Sequence, residues 1–217
     1  AYSIKDEEGK VNGLVGMHTD ITERKESDER QKLLIELLSV LNRVDAEVDI
    51  IGIILAKIRD FTGFEAVGIR LEADGDYPYY VNNGFSEDFI KEENSLFGYD
   101  SESNILLDDK GKPYLECMCG NILSGRTDPT KPFFTEGGSF WTNCTTELLA
   151  STTEADRMTR MRNRCNAVGY ESVGIIPIRS DSHIIGVLHF TDKRKDMFTP
   201  SFIKFFEQVG VGIGVAF

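Results

Sequence analysis

The sequence lacks a surplus of positive charge: 24 Lys and Arg stand against 36 Asp and Glu, a formal net charge of −12. Nucleic acids and anionic membrane surfaces are held by clusters of Lys and Arg, so both partner classes are excluded. Long apolar runs are also missing. The longest uncharged apolar stretch, Val209 to Phe217, is far short of the roughly 20 residues that a spanning helix needs. Cysteine is sparse, with four residues and no C-x-x-C pair. That argues against a disulfide framework and predicts a reducing, cytoplasmic compartment. Three histidines leave few candidates for general base or metal ligand. G-x-S-x-G, H-E-x-x-H and a P-loop are all missing, so no hydrolase, zinc-protease or nucleotide-cradling constellation is present. This predicts neither ATPase nor autokinase activity in the chain itself.

What is present begins with a hairpin pattern. Tyr2 to Ile4 and Val11 to Met17 flank Glu8-Gly9-Lys10, a turn between two short strands. Two strands cannot bury enough surface to stand alone. They run into Asp20-Ile21-Thr22-Glu23-Arg24-Lys25 and a polar helical stretch capped by Asp20 or Thr22. This pattern resembles the C-terminal hairpin of a PAS domain and its exit into a linker helix. The resemblance implies that residues 1–21 end a PAS domain and that 22–45 form a connector helix in a modular signalling protein. The second half of that helix carries Leu33, Leu34, Leu37, Leu38, Leu41 and Val44 at spacings of three and four, which predicts a dimeric seam or, alternatively, the inner face of a surface helix.

Residues 46–217 read as a helix over about 46–61 stopped by Gly63, strands over 64–71 and 77–81, a short helix capped by Ser86, and a long turn-rich segment over about 95–150. Ser151-Thr152-Thr153-Glu154 then predicts a capped helix bearing Met158, Met161, Cys165 and Val168 on one face. Strands over 171–179 and 183–190 come next, and Thr199-Pro200 opens a last helix. The order predicts an α+β domain with an antiparallel sheet. Together with Glu171-Ser172-Val173-Gly174-Ile175-Ile176-Pro177-Ile178-Arg179, the segment Ile184-Ile185-Gly186-Val187-Leu188-His189-Phe190 and the closing Phe198-Thr199-Pro200, it resembles a GAF domain. The resemblance implies helices packed on one face of the sheet, a long variable segment over the other, and a ligand pocket floored by the sheet. PAS exit, connector and GAF domain in series resemble the sensory half of a histidine kinase, with the output domain expected beyond Phe217.

Candidate site residues fall in the last two thirds of the chain. Cys117-Met118-Cys119-Gly120 brings two thiols near one point if the backbone bends at Gly120. With Cys144, Cys165 and His189 it is compatible with a soft metal, although the spacing matches no zinc signature and small buried thiols also pack well. Cys117, Cys119 and His189 are the metal candidates. His189 is either a hydrogen-bonded core residue or, since some GAF domains of sensor kinases hold haem, an axial ligand. Phe133 to Asn143 gathers aromatics around Gly137-Gly138. It reads either as a lid over a flat ligand, with Phe134, Phe140, Trp141 and Asn143 as contacts, or as a loop packed on its own rings. Arg157, Arg160, Arg162 and Arg164 cluster in an acidic chain; Arg164 is a candidate for a ligand carboxylate or phosphate, the alternative being charge balance on a surface. Cys119 is expected at the pocket and Cys165 in the core. Gly210 and Gly214, one turn apart, predict close approach of another helix, the connector or its symmetry mate.

The reading is a cytoplasmic sensory module that is not itself an enzyme. It binds a small molecule in the GAF pocket and relays this through the terminal helices of a homodimer to a downstream kinase domain. The alternatives are a haem- or metal-based redox sensor, a ligand-free dimerisation scaffold, and a small GAF-like enzyme such as a sulfoxide reductase, for which Cys119 is the thiol to use.

Overall fold

The computed structural model describes residues 2–5, 8, 10–15, 22–41 and 49–215. Asp20, Val44, the residues 46–48 and Phe217, to which the sequence assigned a cap, a stripe position, a helix start and a helix end, lie outside them. The chain divides into two units, Ala1–Lys32 and Leu33–Phe217.

In the first unit, β1 (Tyr2–Lys5) and β2 (Val11–Val15) pair antiparallel, Tyr2 opposite Val15, with an irregularity between Ile4 and Lys5. Helix α1 (Thr22–Leu41) starts in this unit.

The second unit holds the remainder of α1 and all other elements. These are α2 (Ile50–Thr62), β3 (Ala66–Leu71), β4 (Tyr79–Asn83), α3 (Glu87–Glu93), α4 (Cys117–Leu123), β5 (Phe140–Thr142), α5 (Thr145–Ser151), α6 (Glu154–Arg157), α7 (Arg164–Ala167), β6 (Ser172–Ser180), β7 (His183–Asp192) and α8 (Pro200–Val215). Five strands form one antiparallel sheet in the order β4-β3-β7-β6-β5. Local chemistry accounts for most boundaries. The Asp49 carboxylate accepts from Gly52 N at 2.9 Å to open α2, and Gly63, at φ 64°, closes it by donating to the Arg59 carbonyl. Ser86 caps α3, and Thr199 accepts from Phe202 N at 3.2 Å ahead of Pro200 in α8.

Strand alternation sends successive side chains to opposite faces. On one face Val67, Ile69, Ile176, Ile178, Leu188 and Phe190 pack against α2 and α8, and Leu33, Leu37 and Val40 of α1 join the same core. Leu37 is 1 % exposed and Leu38 40 % exposed, so Leu33, Leu37 and Val40 form the inner face of α1 while Leu38 stays at the surface. Gly210 and Gly214 of α8 are explained by the sheet and not by another helix. A Cβ on Gly210 would lie 2.5 Å from the Pro177 carbonyl oxygen, and one on Gly214 would lie 1.9 Å from that of Arg179, both on β6. The other face of the sheet is covered by α3, α4 and the segment around Phe133 and Phe134, with Ala66, Val173, Ile175 and Val187 as floor.

The middle segment is more ordered than its turn-rich sequence suggests. It carries α4, β5, α5 and the bridges Phe97–Leu115, Tyr99–Ile105 and Leu107–Pro113. The helix expected after Thr153 lasts only four residues. Its capping box forms, with Thr153 and Asp156 exchanging bonds, but Met158 at φ 61° and Asn163 at φ 59° break the helix beyond Arg157. Tertiary bonds hold that break: Cys117 N donates to the Arg160 carbonyl at 3.0 Å, and Arg162 reaches the Ser95 carbonyl at 2.7 Å. Among the described residues no helix is long and apolar enough to cross a membrane.

Candidate functional site

Between the sheet and α4, α5 and α7 lies a cavity of about 50 Å³. Its lining includes Cys117, Cys119, Phe140, Arg164, Cys165 and His189, joined by Arg70 and Glu93. Cys117 and Cys119 of α4, Phe140 of β5, Arg164 of α7 and His189 of β7 are thereby brought to one place. The other sequence candidates lie elsewhere. Phe134 is buried among Phe133 and Phe140, ring centroids 5.0 and 6.2 Å away, and packs rather than covers. Trp141 turns to the opposite core, and with Asn143 lines a separate surface groove of about 370 Å³. Asn143 clamps the start of α8, accepting from Phe198 N at 2.8 Å and donating to the Phe198 carbonyl at 2.9 Å.

The thiols behave differently from expectation. Cys117 and Cys119 sit on α4 rather than in a bent loop, with Cys117 at φ 61°. Gly120 serves close packing: a Cβ there would meet the Leu115 carbonyl oxygen at 2.3 Å. Cys165 lines the same cavity as Cys119, so the two thiols do not separate into pocket and core. Burial pushes the Cys117 thiol up to about 12, that of Cys119 up to about 11, and that of Cys165 well above the usual range. All three are protonated at neutral pH and poor nucleophiles. Cys144, away from this cavity, caps α5 and approaches Glu171 Oε2 at 3.3 Å. Among the described residues no group of three or more His, Cys, Asp and Glu is placed to hold a metal ion.

The centre of the polar arrangement is a residue that the sequence pattern concealed. Arg70, 1 % exposed, extends from β3 on the cavity face. Its Nη1 donates to the Tyr77 and Asn94 carbonyls at 2.8 and 3.3 Å, and its Nη2 donates to the Glu93 carbonyl. The guanidinium lies 3.8 Å from the centroid of the Tyr79 ring, a cation–π contact. The Tyr79 hydroxyl is 2.8 Å from His189 Nδ1. With the phenol as donor, Nδ1 is the acceptor and the proton sits on Nε2. Burial and then the Arg70 charge hold the imidazole down to about 3, so it is neutral. Gly68, opposite His189 in the ladder, makes room for this: a Cβ there would meet the Tyr79 ring at 2.8 Å.

The arginine cluster resolves into ion pairs. Arg162 Nε binds Glu116 Oε2 at 3.0 Å and its Nη1 lies 3.9 Å from Glu93 Oε1; Arg164 Nε lies 2.7 Å from Glu92 Oε2. Arg157 is buried and donates to the Thr152 carbonyl at 2.6 Å. Arg162 and Arg164 thus have acidic partners, Arg157 is held by a carbonyl, and Arg160 approaches Glu116 more loosely, at 3.8 Å.

No protein-family model and no curated protein sequence matches the chain. Solved structures do. A free methionine-R-sulfoxide reductase from Neisseria meningitidis, in complex with its substrate, superposes with a TM-score of 0.57 at 14 % identity, covering 95 % of this chain and 96 % of that one. The corresponding enzyme of Staphylococcus aureus gives 0.56 at 16 % identity, over 86 % and 94 %. The GAF domain of a phosphoenolpyruvate-protein phosphotransferase from Coxiella burnetii gives 0.57 at 10 % identity, over 88 % and 93 %. At such identities the likeness establishes the fold, which is GAF-like α+β with a five-stranded antiparallel sheet.

Proposed function

We propose that the chain is the sensory input region of a cytoplasmic signal-transduction protein, a histidine kinase. In this reading residues 1–21 end a PAS domain, 22–45 are a connector helix, and 46–217 are a GAF domain that binds a small molecule between sheet and middle segment. The observation that carries it is the two-faced role of β6. Val173 and Ile175 line the cavity, while the Pro177 and Arg179 carbonyls of the same strand receive Gly210 and Gly214 of α8. A ligand that shifts β6 alters the seat of the terminal helix, and the signal equals the ligand's preference for one of the two arrangements. Cys117, Cys119, Phe140, Arg164 and His189 are its proposed contacts; Phe134, Trp141 and Asn143 hold the frame. Native mass spectrometry of the purified chain tests this. A small-molecule adduct is expected, and it disappears in Ile175→Phe, which fills the cavity. Failure to find any adduct, with no thermal stabilisation by a metabolite panel, contradicts it.

The sulfoxide-reductase likeness offers the enzyme alternative, and the raised thiols speak against it. Turnover of free methionine sulfoxide with a dithiol reductant, lost in Cys119→Ser, would overturn the sensory reading. A haem-based variant draws on one observation, the buried His189 Nε2 without a hydrogen-bond partner among the described residues, in a cavity that cysteines also line. The donor types suit an axial ligand, but about 50 Å³ does not enclose a macrocycle, since pockets for ligands of that size run to roughly 300–1,000 Å³. A Soret band after expression with added haem decides between the two.

Association belongs to the same proposal. The homodimer uses α1 and α8, through their outward apolar residues Ile35, 61 % exposed, and Val211, 49 % exposed.

A further inference from the structure

Two buried nitrogens among the cavity-lining residues have neither a hydrogen-bond nor an ion-pair partner among the described residues: Arg70 Nε and His189 Nε2. Both residues are 1 % exposed. Leaving such a donor unsatisfied is costly, and buried polar groups without partners are uncommon in folded proteins. They are not accidental neighbours. Gly68 faces His189 and Arg70 faces Val187 in the β3–β7 ladder, so Arg70 and His189 are diagonal neighbours on one face of the sheet. Tyr79 joins them, its ring under the guanidinium and its hydroxyl on His189 Nδ1.

The charge at this place is also incomplete. The Arg70 guanidinium is held by three backbone carbonyls and by no carboxylate within hydrogen-bond distance among the described residues. A buried cation ordinarily finds an anion. The cavity lining contains two arginines, Arg70 and Arg164, against one acid, Glu93. Glu93 lies 3.9 Å from Arg162, and Arg164 is engaged by Glu92. Glu93 acts on both Arg162 and Arg70, so Arg70 shares one carboxylate at a distance and has none in contact.

We infer that the cavity takes a small planar oxyanion, a carboxylate or an inorganic anion of comparable size, with one oxygen on Arg70 Nε–H and another on His189 Nε2–H. This rests on the reading of the cavity as a ligand site and names the ligand's chemical class. The neutral imidazole donates without adding a second positive charge, so guanidinium and anion cancel. A cavity of about 50 Å³ lies far below the roughly 300–1,000 Å³ of sites for drug-sized ligands, which keeps the anion small. Met118, Cys119 and Ile175 supply sulfur and apolar wall, while Glu93, Thr145 and Asn166 add polar groups.

The test uses the whole chain labelled with 15N, observing the Arg70 Nε and His189 Nε2 resonances directly. Arg70→Gln and His189→Gln assign the two signals. The probes are acetate, nitrate and, as the neutral isostere of acetate, acetamide. Acetate or nitrate is expected to shift both nitrogens saturably, with acetamide weaker by about tenfold or more, since charge-assisted bonds are the stronger ones. A preference for acetate over nitrate identifies a carboxylate source, and the reverse an inorganic one. Arg70→Gln, if it folds, weakens acetate by about tenfold or more; the wild-type titration stands without it. Acetamide moving both signals as strongly as acetate overturns the oxyanion assignment while leaving a ligand site. Silence of both nitrogens to every probe also overturns it, and the mass-spectrometric adduct then shows whether the ligand-site reading survives.

Discussion

At the scale of single residues, the most consequential group is His189. Its folded value is held near 3 by burial, then by Arg70, against about 6.5 when unfolded. The unfolded chain therefore binds more protons between those values, and stability falls as pH drops from 6.5 towards 3. Between pH 6.5 and 5 this amounts to about 1.6 kcal/mol. Glu93, raised by burial against the pull of Arg162 and Arg70, works in the opposite direction, so the comparison is made with His189→Gln. Urea melts of both proteins at the two pH values are expected to show the slope in the wild type and its loss in the variant. Gly68→Ala tests the support of the same residue. The added methyl would meet Tyr79 at 2.8 Å and Phe85 at 3.1 Å, and a loss of about 1–3 kcal/mol is expected. Arg70 was not legible in the sequence. The alternation in β3 puts Ala66, Gly68 and Arg70 on the side away from Val67, Ile69 and Leu71, and a face with a charge and two small residues reads as solvent-exposed. What buries it are carbonyls of residues 77, 93 and 94, contacts that no local pattern announces.

At the scale of elements, what was legible had local causes. Ser86, Gly63 and Thr199-Pro200 end or start helices through bonds within a few residues, and such signals survive in sequence. The helix expected through Met158 and Asn163 does not form because its break depends on bonds to residues 95 and 117. The glycines of α8 were legible as a close approach but not as an approach to a strand, since spacing specifies a face and not its neighbour. They give a paired prediction. Gly214→Ala would place a Cβ 1.9 Å from the Arg179 carbonyl oxygen, whereas at Gly212 the nearest atom is Leu38 Cδ2 at 3.8 Å. Gly214→Ala should lift α8 from β6 and lower stability by about 2 kcal/mol or more, while Gly212→Ala should raise it by up to about 1 kcal/mol. Thermal melts that rank the two in the other order would refute the packing.

At the scale of the whole molecule, the GAF-like fold was legible because strand alternation and helix caps repeat its order in sequence, and the two faces of the sheet come from period two. Which face is seam and which is core was not, since the leucines of α1 suit either. Leu37→Glu is now expected to unfold the second unit, whereas Val211→Glu leaves the melting temperature nearly unchanged and, on the proposed association, lowers the dimer fraction in light scattering. The central claim is that the cavity and α8 are coupled through β6. Amide hydrogen exchange of wild type and Ile175→Phe measures this most directly without knowing the ligand. The account predicts altered protection in α8 around residues 210–214 when the cavity is filled, in addition to changes in the cavity walls. Changes confined to the walls, with α8 exchanging as in wild type, would contradict it.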